Sequence, residues 1–479
     1  MNIQQKKKIK FLTLYNSFTE KEKTEFRKFL GNEVNNNGRN YNKILSSIEQ
    51  NEAGKLKLKG SGSDVTRWNR FSELHKLADE FLILKSIESD DLIHKFLLFK
   101  EYDKRDLQLT FEQKYKNLKD GILNNTLFKY DYNTLFQIDN IYLKHLVLIS
   151  DSEKFLETLY KSSVTRNGFF IIEILEKLIE MITVRESKPL IPETMDEKIY
   201  GSLDIQNVIK YFKESSELPD KIFHTIRFLH YTYLSYSDLQ NSSHYLKARK
   251  IFFRELKDIS DDKREKYFIC LMNLKILKVN KAIPGANEEL FFLMDKKLKE
   301  GLLNDFRSKN LPVNQFRDFV LTGLNLKKHK WVENFINNYS DCLPEEIRND
   351  YVSLARARLY FSLKNYQSSF DHLNKVSKKN HLLYSDVTLL KLKILFELKK
   401  IDESFNEAKN FREYLRKERD SEHLLLQNSK EFCKAFTLLL KLYQSPTRKN
   451  YNDLQYLLSK KSIISKKWII LKMNEIKLV

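Results

Sequence analysis

Apolar residues recur at three- and four-residue intervals along most of the chain, the spacing of amphipathic helices. Thr19-Glu20-Lys21-Glu22 reads as a capping box, followed at helical spacing by Phe26, Phe29 and Leu30. A short helix carries Tyr41, Ile44, Leu45 and Ile48. A loop rich in Gly and Ser then runs from Glu52 to Ser63. Asp64 is the expected cap of a long helix through Trp68, Phe71, Leu74, Leu77, Phe81 and Leu84. Ser150-Asp151-Ser152-Glu153 reads as a second capping box, and Ile171, Ile174, Leu175, Leu178, Ile179 and Ile182 form one apolar stripe. The best boundary is the polar stretch from Glu186 to Leu203, with Pro189, Pro192 and Gly201. Pro312 and Pro344 suit the first turns of later helices. The pattern divides the chain into 1–62, 63–188, 204–307, 308–416 and a basic helical cap at 417–479.

The chain also repeats internally. Shifted by 35 residues against itself, it brings Trp331, Tyr366 and Ile401 into register, with Phe335, Phe370 and Phe405, and with Leu326, Phe361 and Phe396. Each set falls at one place in a helix–turn–helix unit whose turn is short and polar, as in Lys364-Asn365 and Lys399-Lys400. A unit this small buries its apolar faces only by stacking on neighbours, so Tyr366 and Phe370 are expected between consecutive units. Over about 310–415 the chain resembles the tetratricopeptide-repeat family. Thr322 and Ala357 take the small position of the first helix. Asn334, Ser369 and Ser404 stand where the second helix usually has Ala. Leu392 departs from the small-residue rule, and the family's terminal Pro is missing. The whole chain is similar to bacterial helical-repeat proteins that carry no assigned activity. The resemblance implies an α-solenoid and says nothing of a reaction.

Composition points the same way. Eleven Gly and seven Pro in 479 residues are far too few for the turns of a sandwich, barrel or propeller, while 42% hydrophobic residues can fill large cores. The expected fold is all-α. Cys270, Cys342 and Cys433 are odd in number and widely spaced, as reduced thiols are. No apolar run approaches a membrane span, and the N-terminal basic residues lack the apolar stretch of a signal peptide. A cytoplasmic protein without membrane contact is the expectation. The formal charge of +20 suits an acidic partner, although 64 Lys beside abundant Asn, Ile, Phe and Tyr also reflect A/T-rich codons.

Candidate chemistry is sparse. Gly60-Ser61-Gly62-Ser63 lacks the Lys of a P-loop and the third Gly of a dinucleotide fingerprint. The ten His include no pair three or four apart, and no CxxC occurs, so no metal or cofactor is expected. No nucleophile elbow appears either. Arg70 to His75 resembles the Arg-x₄₋₆-His motif of the HEPN ribonucleases, which implies cleavage of RNA. Ten His, three spacings and 20 Arg in 479 residues predict about 1.25 chance matches, and the chain has two, the other being Arg416 to His423. A ribonuclease is therefore only a third reading. The expectation is no enzyme and no small-molecule substrate.

Basic surfaces remain. Arg358 and Lys393 lie 35 residues apart at one repeat position, and in a tetratricopeptide-like array their face lines the groove. Such a cation ladder fits an acidic protein or peptide, giving the leading reading of a binding scaffold. The alternative partner is nucleic acid. Nine Lys and Arg against two carboxylates lie between 440 and 479, among them Lys460, Lys461, Lys466 and Lys467, interleaved with Tyr443, Tyr451, Tyr456 and Trp468. Trp468 precedes Ile469-Ile470-Leu471, an apolar run expected to bury it.

Overall fold

The computed structural model describes residues 3–32, 39–49, 64–105, 107, 110–125, 132–187, 192–215, 217–302, 311–377, 381–417, 424–460 and 463–477. Among these are 23 α-helices and no strand. The Gly/Ser loop at 52–63 lies outside the described residues. The chain divides into two compact units, Met1–Ser162 and Ser163–Val479.

In the first unit, α1 (Ile3–Asn16) and α2 (Glu20–Gly31) pack on α4 (Asp64–Ser89), and α3 (Asn42–Glu49) packs on α2. Their apolar stripes meet in an aromatic core of Phe11, Tyr15, Phe18, Phe26, Phe71 and Phe81. Thr19 and Glu22 form the expected reciprocal cap. Next, α5 (Asp91–Lys104), α6 (Phe111–Asn125) and α7 (Tyr132–Leu148) pack together, with Tyr115 stacked 3.7 Å from Tyr142. The cap expected at Ser150 sits one residue later. Ser150 takes a left-handed conformation, and Asp151 accepts the Lys154 amide at 3.1 Å to open α8 (Ser152–Ser187).

The division at 162 falls inside α8, where the exposed Leu156, Leu159 and Tyr160 give way to a buried face that starts at Ser162 and Thr165 and continues through Phe169, Ile172 and Leu175. The stretch from 186 to 203 lies within the second unit, where Thr194 and Glu197 cap α9 (Met195–Ser202) and α10 (Ile205–Glu214) follows. Six helical hairpins come next: α11 (Asp220–Ser237) with α12 (Ser242–Arg254), α13 (Asp261–Asn280) with α14 (Ala286–Lys299), and α15 (Val313–Asn325) with α16 (His329–Tyr339). The others are α17 (Glu345–Ser362) with α18 (Tyr366–Leu373), α19 (His381–Glu397) with α20 (Ile401–Lys417), and α21 (Leu424–Gln444) with α22 (Arg448–Lys460); α23 (Lys466–Glu475) closes the unit on α21. From α14 onward, the second helix of each pair lies against the first helix of the next, and the first helices α15, α17, α19 and α21 touch in order. Pro312 and Pro344 are N-caps, one residue ahead of the expected first turn.

Four hairpins share one turn. Ala282, Lys327, Lys364 and Lys399 each take left-handed φ of 55–61°. The next residue's amide donates 2.9 Å to the carbonyl five residues back in every case: Ile283 to Lys278, Lys328 to Gly323, Asn365 to Tyr360 and Lys400 to Leu395. This Schellman geometry satisfies the end of the first helix and reverses the chain without a glycine.

The turn also corrects the repeat register. Lys364 and Lys399 are 35 residues apart, which keeps Phe361 with Phe396, Tyr366 with Ile401 and Phe370 with Phe405. Lys327 and Lys364 are 37 apart, so Leu326, Trp331 and Phe335 were aligned two residues off. The true counterpart of the buried Ser369 and Ser404 is Val332 (Asn334 is exposed). Ser369 donates to the Ala357 carbonyl at 2.6 Å, and Val332 packs so closely on Gly323 that a Cβ there would meet it at 2.5 Å. Tyr366 and Phe370 are half-buried against Leu373, Val387 and Leu390 rather than enclosed.

Candidate functional site

The first-helix row brings its charges together, but largely to satisfy one another. From α15, Arg317 places Nε 2.9 Å from Asp386 Oδ2 on α19, and from α17, Arg358 donates to the same oxygen at 2.8 Å. Two guanidinium groups from the first helices of successive hairpins thus close on one carboxylate. Burial pushes the neighbouring Asp318 carboxyl up, against the pull of both arginines. Arg358 is therefore an internal bridge and does not present the free charge expected of it. Lys393 is adjacent, with its ammonium 5.2 Å from the Phe361 ring centroid and 3.3 Å from Ser465 Oγ. Burial and the nearby Arg358 push it down to about 8.

The C-terminal cations divide in the same way. Trp468 packs against the core but is half-buried rather than enclosed as expected. It packs edge-on to Phe396 at 5.7 Å and donates its indole N–H to Glu397 at 2.8 Å. Lys472 bridges the same Glu397 at 2.9 Å. Lys466 is half-buried and Lys467 exposed; the Lys460 side chain and Lys461 lie outside the described residues. Lys441, Arg448, Lys449 and Lys477 are exposed, as are Tyr443 and Tyr456. On α4, Arg70 is exposed and His75 half-buried, while His423 lies outside the described residues.

A site that the periodicity did not suggest lies between α20 and α21. A cavity of about 610 Å³ is lined by Arg412, Leu415, Arg416, Asn428, Lys430, Glu431, Cys433 and Lys434. The size is that of ordinary ligand clefts, roughly 300–1,000 Å³. Arg412 and Arg416 are one turn apart on α20, and Lys430 and Lys434 one turn apart on α21, so each helix offers a pair of cations from one face. Glu431, on the same helix, pairs with Lys434 at 3.0 Å. Arg412 is steadied by Thr437 Oγ1 at 2.8 Å. Cys433 is buried, bonded to the Ala408 carbonyl, and burial pushes its thiol up, which makes it an inert part of the packing. The sequence signal was the two i, i+4 cation pairs, fourteen residues apart between Arg416 and Lys430.

No family model, curated protein or solved structure matches the chain.

Proposed function

We propose that the chain is a non-catalytic helical-repeat scaffold, stacked in the manner of tetratricopeptide repeats, that binds an acidic segment of another protein. The observation carrying this reading is the α20–α21 cleft, with four cations and one carboxylate among the described residues of its lining. Its cationic groups sit in a concave, partly apolar setting, where Leu415 and the arginine stems favour a peptide over a bare ion. The Arg317–Asp386–Arg358 bridge argues that the first-helix row supports the array, leaving recognition to the cleft. The repeated left-handed turn supports the stacking, since equal turns give successive hairpins equal geometry.

A glutamate-rich peptide of roughly the length of the cleft, carrying a photoreactive group, tests the reading. It should cross-link to α20 and α21, with unlabelled acidic peptide competing and a lysine-rich peptide failing to compete. Cross-links spread over other helices, or none, would overturn the site. The second reading, nucleic acid, draws on exposed Tyr443 and Tyr456 and the exposed cations Lys441, Arg448 and Lys449. It predicts that a single-stranded oligonucleotide displaces the peptide or binds in its stead, with affinity falling steeply as salt rises.

A further inference from the structure

The corner between α7 and α8, in the first unit, exposes what a helical corner ordinarily buries. Val147, Leu148, Ile149, Leu156, Leu159 and Tyr160 are each 44–71% exposed. Leu156, Leu159 and Tyr160 stand at i, i+3 and i+4 on one face of α8, and the other three surround the left-handed turn at Ser150. We propose that this corner is a self-association surface, occupied by the same corner of a second copy of the chain.

Area is the first argument. The six exposures add up to about three and a half fully exposed large side chains. At roughly 150–200 Å² each, that is about 500–700 Å² per copy. Twice this, about 1,000–1,400 Å², spans the lower end of specific interfaces, roughly 1,200 Å² in total, and each patch lies at the top of the roughly 300–600 Å² range of the largest patches on monomers.

Charge is the second. Two chains of formal charge +20 repel, yet at this corner Lys154 pairs with Glu112 and Asp151 and Lys161 with Glu157, and the exposed Lys144 and Glu153 stand beside them, so the signs nearly balance. A second copy therefore meets a nearly neutral surface. Both signs stand on its rim, as an isologous contact requires, because each patch must complement itself. With α8 helices crossing antiparallel near Leu159, Leu156 of one copy meets Tyr160 of the other. The exposed cations elsewhere weaken pairing only through long-range repulsion, which salt screens.

Sedimentation velocity on the full chain, up to tens of micromolar, should show a monomer–dimer equilibrium that tightens as salt rises. Leu156→Glu with Tyr160→Glu should weaken the dimer at least tenfold, with circular dichroism and thermal midpoint unchanged because both side chains are exposed. Should that variant misfold, Leu159→Cys supplies the test: on mild oxidation it should give a disulfide-linked dimer absent from wild type under the same conditions. A wild-type chain that stays monomeric would overturn the proposal. So would a Leu159→Cys thiol that resists maleimide in a monomer, which would place this chain's own second unit over the corner. A dimer untouched by the double substitution would do the same.

Discussion

Lys364 and Lys399 stand in the same left-handed conformation, 35 residues apart, each closing the first helix of its hairpin through an identical pair of amide bonds. A left-handed L-residue costs about 1–2 kcal/mol, and glycine removes that cost while losing some of the gain to unfolded-state entropy. Lys364→Gly and Lys399→Gly should therefore each stabilise the chain by roughly 0.5–1 kcal/mol. Both lysines are exposed, so no contact is lost. Lys364→Val should destabilise, since a β-branched side chain fits this conformation worst. Urea denaturation reads both; a loss on Lys364→Gly would mean the turn is not held as described.

Gly323 tests the close approach in the α15–α16 hairpin. Gly→Ala in a helix ordinarily gains about 1 kcal/mol, but the new Cβ would lie 2.5 Å from Val332 Cγ2. Overpacking of this kind costs about 1–3 kcal/mol. Gly323→Ala should thus be a net loss, and adding Val332→Ala should cost less than the two single changes predict. The double-mutant cycle measures that coupling; additive values would separate the two residues.

The alignment of apolar residues located the hairpins but misplaced the first by two residues, and the reason is physical. Helical periodicity reports which face is buried, while register is set by where the chain reverses. The reversing residue is usually recognisable as glycine; here it is lysine in three turns and alanine in one, so nothing in the sequence marks it. Charge was legible only locally. Arg358 and Lys393 do share a face, yet Asp386, 28 residues beyond Arg358, neutralises the arginine through a contact that spacing does not reveal. The inward packing of Trp468 was legible because its apolar neighbours follow it directly, though the ring is half-buried rather than enclosed. The α20–α21 cleft was visible only as two unremarkable cation pairs, since its concavity comes from packing.

Lys393 gives stability a definite pH dependence. Its folded-state value is about 8, below that of the unfolded chain at about 10.4, because burial disfavours the charge. Below pH 8 both states are protonated and the folded state bears the full penalty. Between about 8 and 10.4 the unfolded state holds more protons, so this group's contribution to stability rises with pH. Lys393→Met should accordingly stabilise the chain at pH 7, with a gain that shrinks above pH 8 and is gone near 10.4. Thermal midpoints of both chains across that range decide it; a constant difference would show that the ammonium is not held in a desolvated site.

In the proposed function, the cleft between α20 and α21 recognises the partner and the first-helix row supports the stacked hairpins. Titration calorimetry with a glutamate-rich peptide measures this directly. Arg412→Glu with Lys434→Glu should weaken binding by more than tenfold, and raising salt should weaken the wild-type complex as well. Arg358→Ala with Lys393→Ala should leave the affinity unchanged in a chain that is still folded. The opposite ranking, with binding lost in the Arg358 and Lys393 variant and kept in the cleft variant, would contradict the account.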